Sequence, residues 1–376
     1  MSRGFPQAEY EGRLARAQAR MADEGLGALL LTTEPEVRYF TGFLTRFWES
    51  PSRPWFLIVP LSGRPVAVIP SIGAALMAST WIEDIRTWAA PDPEDDGVSL
   101  LADALREAGG PVGVPSHLET HLRMPLADFA RVQRLAGPEF TDDRRIVADL
   151  RAIKSEAEIA KIAESCGIAA RAFGRMGEIA GPGVPLAQVF RDFQRLLLEE
   201  GADWVPYLAG GAGPEGYADV ISPATEVPLA AGDILMLDTG AVRDGYFCDY
   251  DRNFAVGRAS EGQQSAHARL IEATQAGLEA ARAGVRADEI WQAMAAIVGG
   301  GEGAGRLGHG LGMQLTEGLS LTAKDRTVLQ PGMVITLEPG VETAPGRFMV
   351  HEENIVITEG APRVLSPLSG PDLPVI

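Results

Sequence analysis

A chain of 376 residues is long enough for two domains, each with its own core. The composition, 46% apolar and 22% charged, argues against a disordered protein. Acidic groups outnumber basic ones by 51 to 33, and the formal charge of −18 disfavours nucleic acid and anionic membrane as partners while letting carboxylates cluster around a cation.

The opening MSRGFPQAEY lacks the apolar run of a secretory signal, and no apolar stretch approaches the ~18 residues that span a bilayer. The two cysteines, Cys166 and Cys248, are too few and too far apart for a disulfide scaffold. The expectation is a cytoplasmic protein.

The first third alternates helices and strands. Glu9 to Glu24 reads as a helix that Gly25 ends, Ala28–Leu31 as a short strand, and Pro35 as the start of a helical turn leading to Gly42. Trp55–Val59 and Pro65–Ile69 are neighbouring strands across the Ser62-Gly63 turn. Pro111–Val114 is a further strand, followed by a helix that Ser116 caps with Glu119 three residues on. His117 and His121 fall on one face of that helix and are expected to be solvated. This alternation predicts a small α/β domain over residues 1–145.

A second domain is predicted over 146–376. Ser155 and Glu158 form a capping box for a long helix through Phe173, and another helix spans Leu186 to Glu200. From Ile234 short strands take over: Ile234–Asp238, Tyr246–Phe254, Met333–Glu338 and Phe348–Thr358, interrupted by helices between Gln263 and Val298. An antiparallel sheet with helices packed on one side follows.

The strand Ile234–Leu237 delivers Asp238, a carboxylate that is costly to bury unless something positive meets it. The next strand carries Asp249 and Asp251, which alternation places on one face, with a hairpin around Asp244-Gly245 bringing Asp249 back toward Asp238. Glycines surround His309 in Gly308-His309-Gly310-Leu311-Gly312, allowing close backbone approach. Glu338 ends another apolar strand, and Glu352 or its neighbour Glu353 starts the last. Four carboxylates and one imidazole suit two divalent ions, Mn, Fe, Co or Zn, better than soft-ligand metals. Such a pair activates water and polarises a carbonyl.

In this order, within LDTG, GYFCD, GHGLG, LEPG and HEENIVIT, the five residues resemble the pita-bread metalloenzymes: methionine aminopeptidase, aminopeptidase P, prolidase and creatinase. GLGALLLTTEPEVRYFTGF and LRAIKSEAEI are similar to the prolidase and creatinase branch, so the likeness spans nearly the whole chain. The resemblance implies an α+β protein: a pita-bread catalytic domain preceded by a smaller creatinase-type α/β domain. It implies two divalent ions held by Asp238, Asp249, His309, Glu338 and Glu352, with Glu338 also accepting a proton. A homodimer cleaving a C–N (amide-type) bond in a small molecule or short Xaa-Pro-like peptide is expected. The family places its last ligand six residues before a threonine, here Thr358, which selects Glu352 and leaves Glu353 as the alternative.

The likeness breaks at the proton-transfer positions. The family's second histidine, seven residues after the first, is Thr316 here, with Glu317 beside it. Another expected histidine is absent from Gly216–Ile221, an arginine is replaced by Val350, and a threonine by Asp251. Glu338, Asp251 or Glu317 would then act as acid or base. Trp48, Trp55, Trp204 and Tyr207 could face a cationic ligand, with Thr316 near the substrate, although packing suits such aromatics too. These departures motivate two alternatives: a metal-dependent lyase resembling dimethylsulfoniopropionate lyase, and a non-catalytic pita-bread scaffold. Cys248, beside Asp249, is expected to be a core thiol.

Overall fold

The computed structural model describes residues 3–50, 54–299 and 305–376. The chain divides into two compact units, one ending at Arg151 and the other beginning at Ala152.

The first unit is a mixed six-stranded sheet flanked by helices. Helix α1 (Gln7–Glu24) stops at Gly25, whose φ of 69° gives the left-handed cap that glycine adopts without penalty. Strand β1 (Ala28–Leu31), wholly buried, leads into α2 (Glu34–Thr41), whose capping box joins Thr33 and Glu36. Then come β2 (Phe56–Pro60), β3 (Val66–Pro70), the one-turn α3 (Ala74–Met77), β4 (Asp84–Trp88), α4 (Val98–Ala108), β5 (Val112–Val114), α5 (Leu126–Ala136), β6 (Phe140–Asp142) and α6 (Ile146–Ala152). The strand order is β4-β3-β2-β1-β5-β6. Leu30, Ile58 and Val68 on one face pack against Leu101 and Leu105 of α4 and Val132 of α5.

The helix expected after β5 does not form at Ser116. That hydroxyl donates back to the Val114 carbonyl at 2.6 Å, Glu119 sits at φ 64°, and the chain turns until Pro125 precedes α5. Leu118 is 86% exposed, so a helix here would bury no apolar stripe to offset its ordering. His117 and His121 therefore share no helix face.

The second unit opens with α7 (Glu156–Phe173), where Ser155 and Glu158 form both halves of the expected box at 3.3 and 3.0 Å. After α8 (Leu186–Glu199) come β7 (Leu208–Pro214), β8 (Asp233–Thr239), the hairpin β9 (Val242–Arg243) and β10 (Tyr246–Phe247), and β11 (Tyr250–Ala255). Asp244 and Gly245 both have positive φ, as a two-residue hairpin turn requires. Helices α9 (Glu261–Ala280) and α10 (Ala287–Val298) precede β12 (Val334–Leu337), β13 (Gly340–Ala344), β14 (Arg347–Val350), β15 (Glu353–Val356) and β16 (Arg363–Val364).

The strands form several small antiparallel sheets: β11-β8-β7, β12-β15-β16, β13-β14 and β10-β9. Ile335, Leu337 and Ile355 pack against Ile290, Trp291 and Met294 of α10. Among the described residues no helix is long and apolar enough to cross a membrane.

Candidate metal centre

Two sheet ends converge on a cluster of acids. In the β8–β11 ladder Asp238 stands directly opposite Asp251, and Tyr250 pairs with Thr239, leaving Asp249 just beyond the ladder. In the β12–β15 ladder the final pair is Leu337 and Glu353, so Glu338 and Glu352 lie just past it on facing strands. Each strand end releases its acid from apolar packing into the same space.

His309 reaches this space from a segment sandwiched between backbones. Its N–H donates to Thr336 Oγ1 at 2.9 Å, its carbonyl accepts from Thr336 N–H at 2.7 Å, and Gly310 N–H donates to Leu319 O. A Cβ on Gly308, at φ 142°, would lie 2.2 Å from Thr336 O, and one on Gly310 would lie 2.0 Å from Glu317 O. The glycines flanking His309 answer to these two close approaches.

The imidazole Nδ1 lies 2.9 Å from the Gly310 carbonyl, an acceptor only, so this nitrogen carries a proton. Nε2 is thereby aimed at two carboxylates, 3.1 Å from Asp249 Oδ2 and 2.9 Å from Glu338 Oε1. Asp249, His309 and Glu338 form one group whose ligand atoms lie within 4.8 Å of one another, and Asp238, Asp249 and Glu352 form a second. Asp249 belongs to both.

Burial lifts the Asp249 carboxyl to about 6 despite the nearby imidazole. Asp238 and Glu352 are driven well above the usual carboxylate range, first by burial and then by their acidic neighbours. Burial opposes charge on His309, yet Glu338 and Asp249 carry it up to about 10. Glu338 ends below its ordinary value, because His309 and Thr336 outweigh its burial. The cluster is thus short of positive charge. Asp238 Oδ1, Asp251 Oδ2 and Glu352 Oε2 are buried without a hydrogen-bond partner among the described residues, and unpaired buried oxygens are costly. A donor set of carboxylates and one imidazole with idle oxygens fits borderline-hard divalent ions.

The adjacent glutamates separate cleanly. Glu352 turns to Asp238 and Asp249, whereas Glu353 is fully buried against Arg252 at 3.1 Å and His351 at 3.1 Å, with Ser366 donating to it. Asp251 is fully buried and accepts the Glu352 N–H at 2.8 Å. Glu317 is buried against Lys154 at 2.8 Å. Thr316 is half-buried in the turn before Glu317. Tyr207 donates its hydroxyl to Asp238 Oδ2 at 2.9 Å, a contact its sequence position does not announce. Trp48 and Trp55 lie in the first unit, packed on each other with ring centres 5.9 Å apart, and Trp55 also meets Phe43 and Phe47. Cys248 is wholly buried.

A second group, His117 with Asp142 and Asp143, is also close enough to hold an ion. Asp143, however, already accepts the N–H groups of Arg145 and Val147 at 3.1 Å each, at the start of α6, and Asp142 accepts that of Arg144.

Buried acids gathered on strand ends around one imidazole make a cluster that could hold divalent cations, in a protein of two-unit α+β architecture. The chain belongs to metallopeptidase family M24, whose model matches residues 160–359, and the creatinase/prolidase N-terminal domain matches residues 13–153. It has the pita-bread fold of that superfamily. A protein named probable dipeptidase PepE, from Mycobacterium tuberculosis, is 31% identical over 363 residues, covering 95% of this chain and 94% of its own. A Xaa-Pro dipeptidase from Pyrococcus horikoshii is 31% identical over 238 residues, or 61% of this chain and 66% of its own. The crystal structure of dipeptidase PepE from Mycobacterium ulcerans superposes with a TM-score of 0.83 at 26% identity, covering 99% of each chain.

Proposed function

We propose that this protein is a dinuclear metal-dependent hydrolase that cleaves the amide bond of a dipeptide or a small Xaa-Pro-like substrate. The observation that carries the reading is the pair of ligand groups sharing Asp249. Asp249, His309 and Glu338 would hold one divalent ion, and Asp238, Asp249 and Glu352 the other. When bound, two such ions supply a water activated near neutral pH and polarise the scissile carbonyl.

The remaining work falls to side chains. Nδ1–H of His309, fixed by Gly310 O, keeps the Nε2 lone pair turned inward. Tyr207 orients Asp238 through its hydroxyl. Glu338, held below the ordinary carboxylate range, stays ionised and is placed to take the proton of the attacking water. Of the other candidate acids or bases, Glu317 is engaged with the Lys154 ammonium. Asp251, one oxygen of which accepts the Glu352 N–H, is driven well above the usual carboxylate range by burial and by Asp238, which unsuits it as a base. Glu338 is therefore the proton acceptor in this reading, with no imidazole at the Thr316 position to assist it.

The names carried by the relatives, dipeptidase and Xaa-Pro dipeptidase, support hydrolysis over the lyase and scaffold readings. The test is a substrate panel with Mn²⁺-loaded protein: Xaa-Pro dipeptides, other dipeptides, creatine and dimethylsulfoniopropionate. Amine release is expected, and Asp249→Ala or His309→Ala should abolish both metal loading and turnover. An alkene product without amine, or full turnover by a metal-free variant, overturns the proposal.

A further inference from the structure

We infer that Asn354 is a positioning residue that sets where Asp249 stands between the two ion positions; this rests on the metal-centre reading above. Asp249 lies outside the β8–β11 ladder, so its peptide lacks a partner strand. One side chain satisfies both halves of that peptide. Asn354 Oδ1 accepts the Asp249 N–H at 3.0 Å, while Nδ2 donates to the Asp249 carbonyl.

Asn354 is fully buried on β15 and is itself held on two more sides. Cys166 Sγ donates to its Oδ1 at 3.4 Å, and its own N–H donates to Ser366 Oγ at 2.9 Å. Two residues earlier the stitching runs the other way: Asp251 Oδ1 accepts the Glu352 N–H at 2.8 Å, and Arg252 Nη1 donates to the Glu352 carbonyl at 2.9 Å. Segments from two separate sheets are thus joined by side chain to main chain bonds in both directions. Asp249 serves both ligand groups, so a shift of its backbone moves an oxygen away from both ion positions together. Loss of a group that orients a metal ligand typically weakens affinity about 10- to 100-fold.

The experiment compares wild type, Asn354→Ala and Asn354→Asp. Asn354→Ala leaves both Asp249 peptide groups unpaired, and Asn354→Asp keeps the acceptor but sets an oxygen against the Asp249 carbonyl. Melting of the metal-free proteins, Mn²⁺ titration by calorimetry, and low-temperature EPR are read on each. Expected are folded variants with at least tenfold weaker Mn²⁺ binding and loss of the exchange-coupled two-manganese spectrum that wild type shows. A folded variant with wild-type affinity and an unchanged coupled spectrum overturns the assignment, even when its melting temperature falls. Failure of both variants to fold overturns it too, making Asn354 a folding residue. Absence of paired Mn²⁺ in wild type instead sinks the metal-centre reading itself.

Discussion

Glu352 and Glu353 are neighbours on the chain whose substitutions should act in opposite directions. Burial and Asp238 hold the Glu352 carboxyl well above the usual range, so its charge is a cost to the metal-free fold at neutral pH. Glu352→Gln is expected to raise metal-free stability, on the order of 1 kcal/mol, while weakening Mn²⁺ binding. Glu353→Gln breaks the buried pair with Arg252 and is expected to cost about 3 kcal/mol. Urea denaturation of the metal-free proteins reads both signs, and a loss of stability in Glu352→Gln contradicts the first. Gly308→Ala, which drives a Cβ to 2.2 Å from a backbone oxygen at a φ of 142°, should destabilise by about 1–3 kcal/mol or more in the same assay. The four acids and the histidine are legible in the sequence because each ends a strand or stands among glycines. The spacing to Thr358 selects Glu352, but what occupies Glu353 instead, the pairing with Arg252 a hundred positions earlier, is recorded by no local pattern. Asn354 escapes notice, and Tyr207 is read as an aromatic face and not as a partner of Asp238, for the same reason: their partners are distant in the chain.

Helix α9 carries a pH dependence of its own. His267 is buried, its Nε2 lies 3.2 Å from Gly370 O, and its Nδ1 has no hydrogen-bond partner among the described residues. Burial, assisted by the nearby His351, lowers it from 6.5 to about 4. Above pH 6.5 the imidazole is neutral in folded and unfolded chains and contributes nothing to pH dependence. Below it the unfolded chain gains the proton first, so stability falls as pH drops toward 4. Relative to His267→Gln, wild type should lose up to roughly 3 kcal/mol across that window. Parallel stability curves for the two proteins between pH 7 and 4 would refute this. At the level of elements the sequence shows its long helices plainly, since Ser155 with Glu158 and Gly25 are chemical punctuation that works locally. It misleads at Ser116, where the same capping signature is present but Leu118 and its neighbours offer no face to bury. The small sheets of the second unit are also only partly legible. Phe348–Thr358 reads as one strand, yet His351 and Glu352 interrupt it so that β14 and β15 belong to different sheets.

Across the whole molecule, all five residues of the two ligand groups belong to the unit beginning at Ala152. Ion binding should therefore slow hydrogen exchange in that unit, around β8, β11, β12 and β15, with residues 3–151 much less affected. At Mn²⁺ a hundredfold above its dissociation constant, the added stability is expected to be about 2.7 kcal/mol, and chelation should remove it. Exchange mass spectrometry with and without EDTA checks the pattern, and equal protection of both units would contradict it. The alternation of helices and strands makes the division into two units readable from sequence, whereas the packing that seats each acid is not.

The convergence of distant strand ends also orders events at the ribosome. Glu352 is synthesised 103 residues after Asp249, a delay of ~5–20 s at ordinary elongation rates. Until β15 emerges, a nascent chain offers cations only Asp238, Asp249 and whatever of His309 and Glu338 has followed. In the proposed two-ion centre, capture of both ions would have to wait for β15 to emerge, which would spare the earlier nascent chain a prematurely assembled centre.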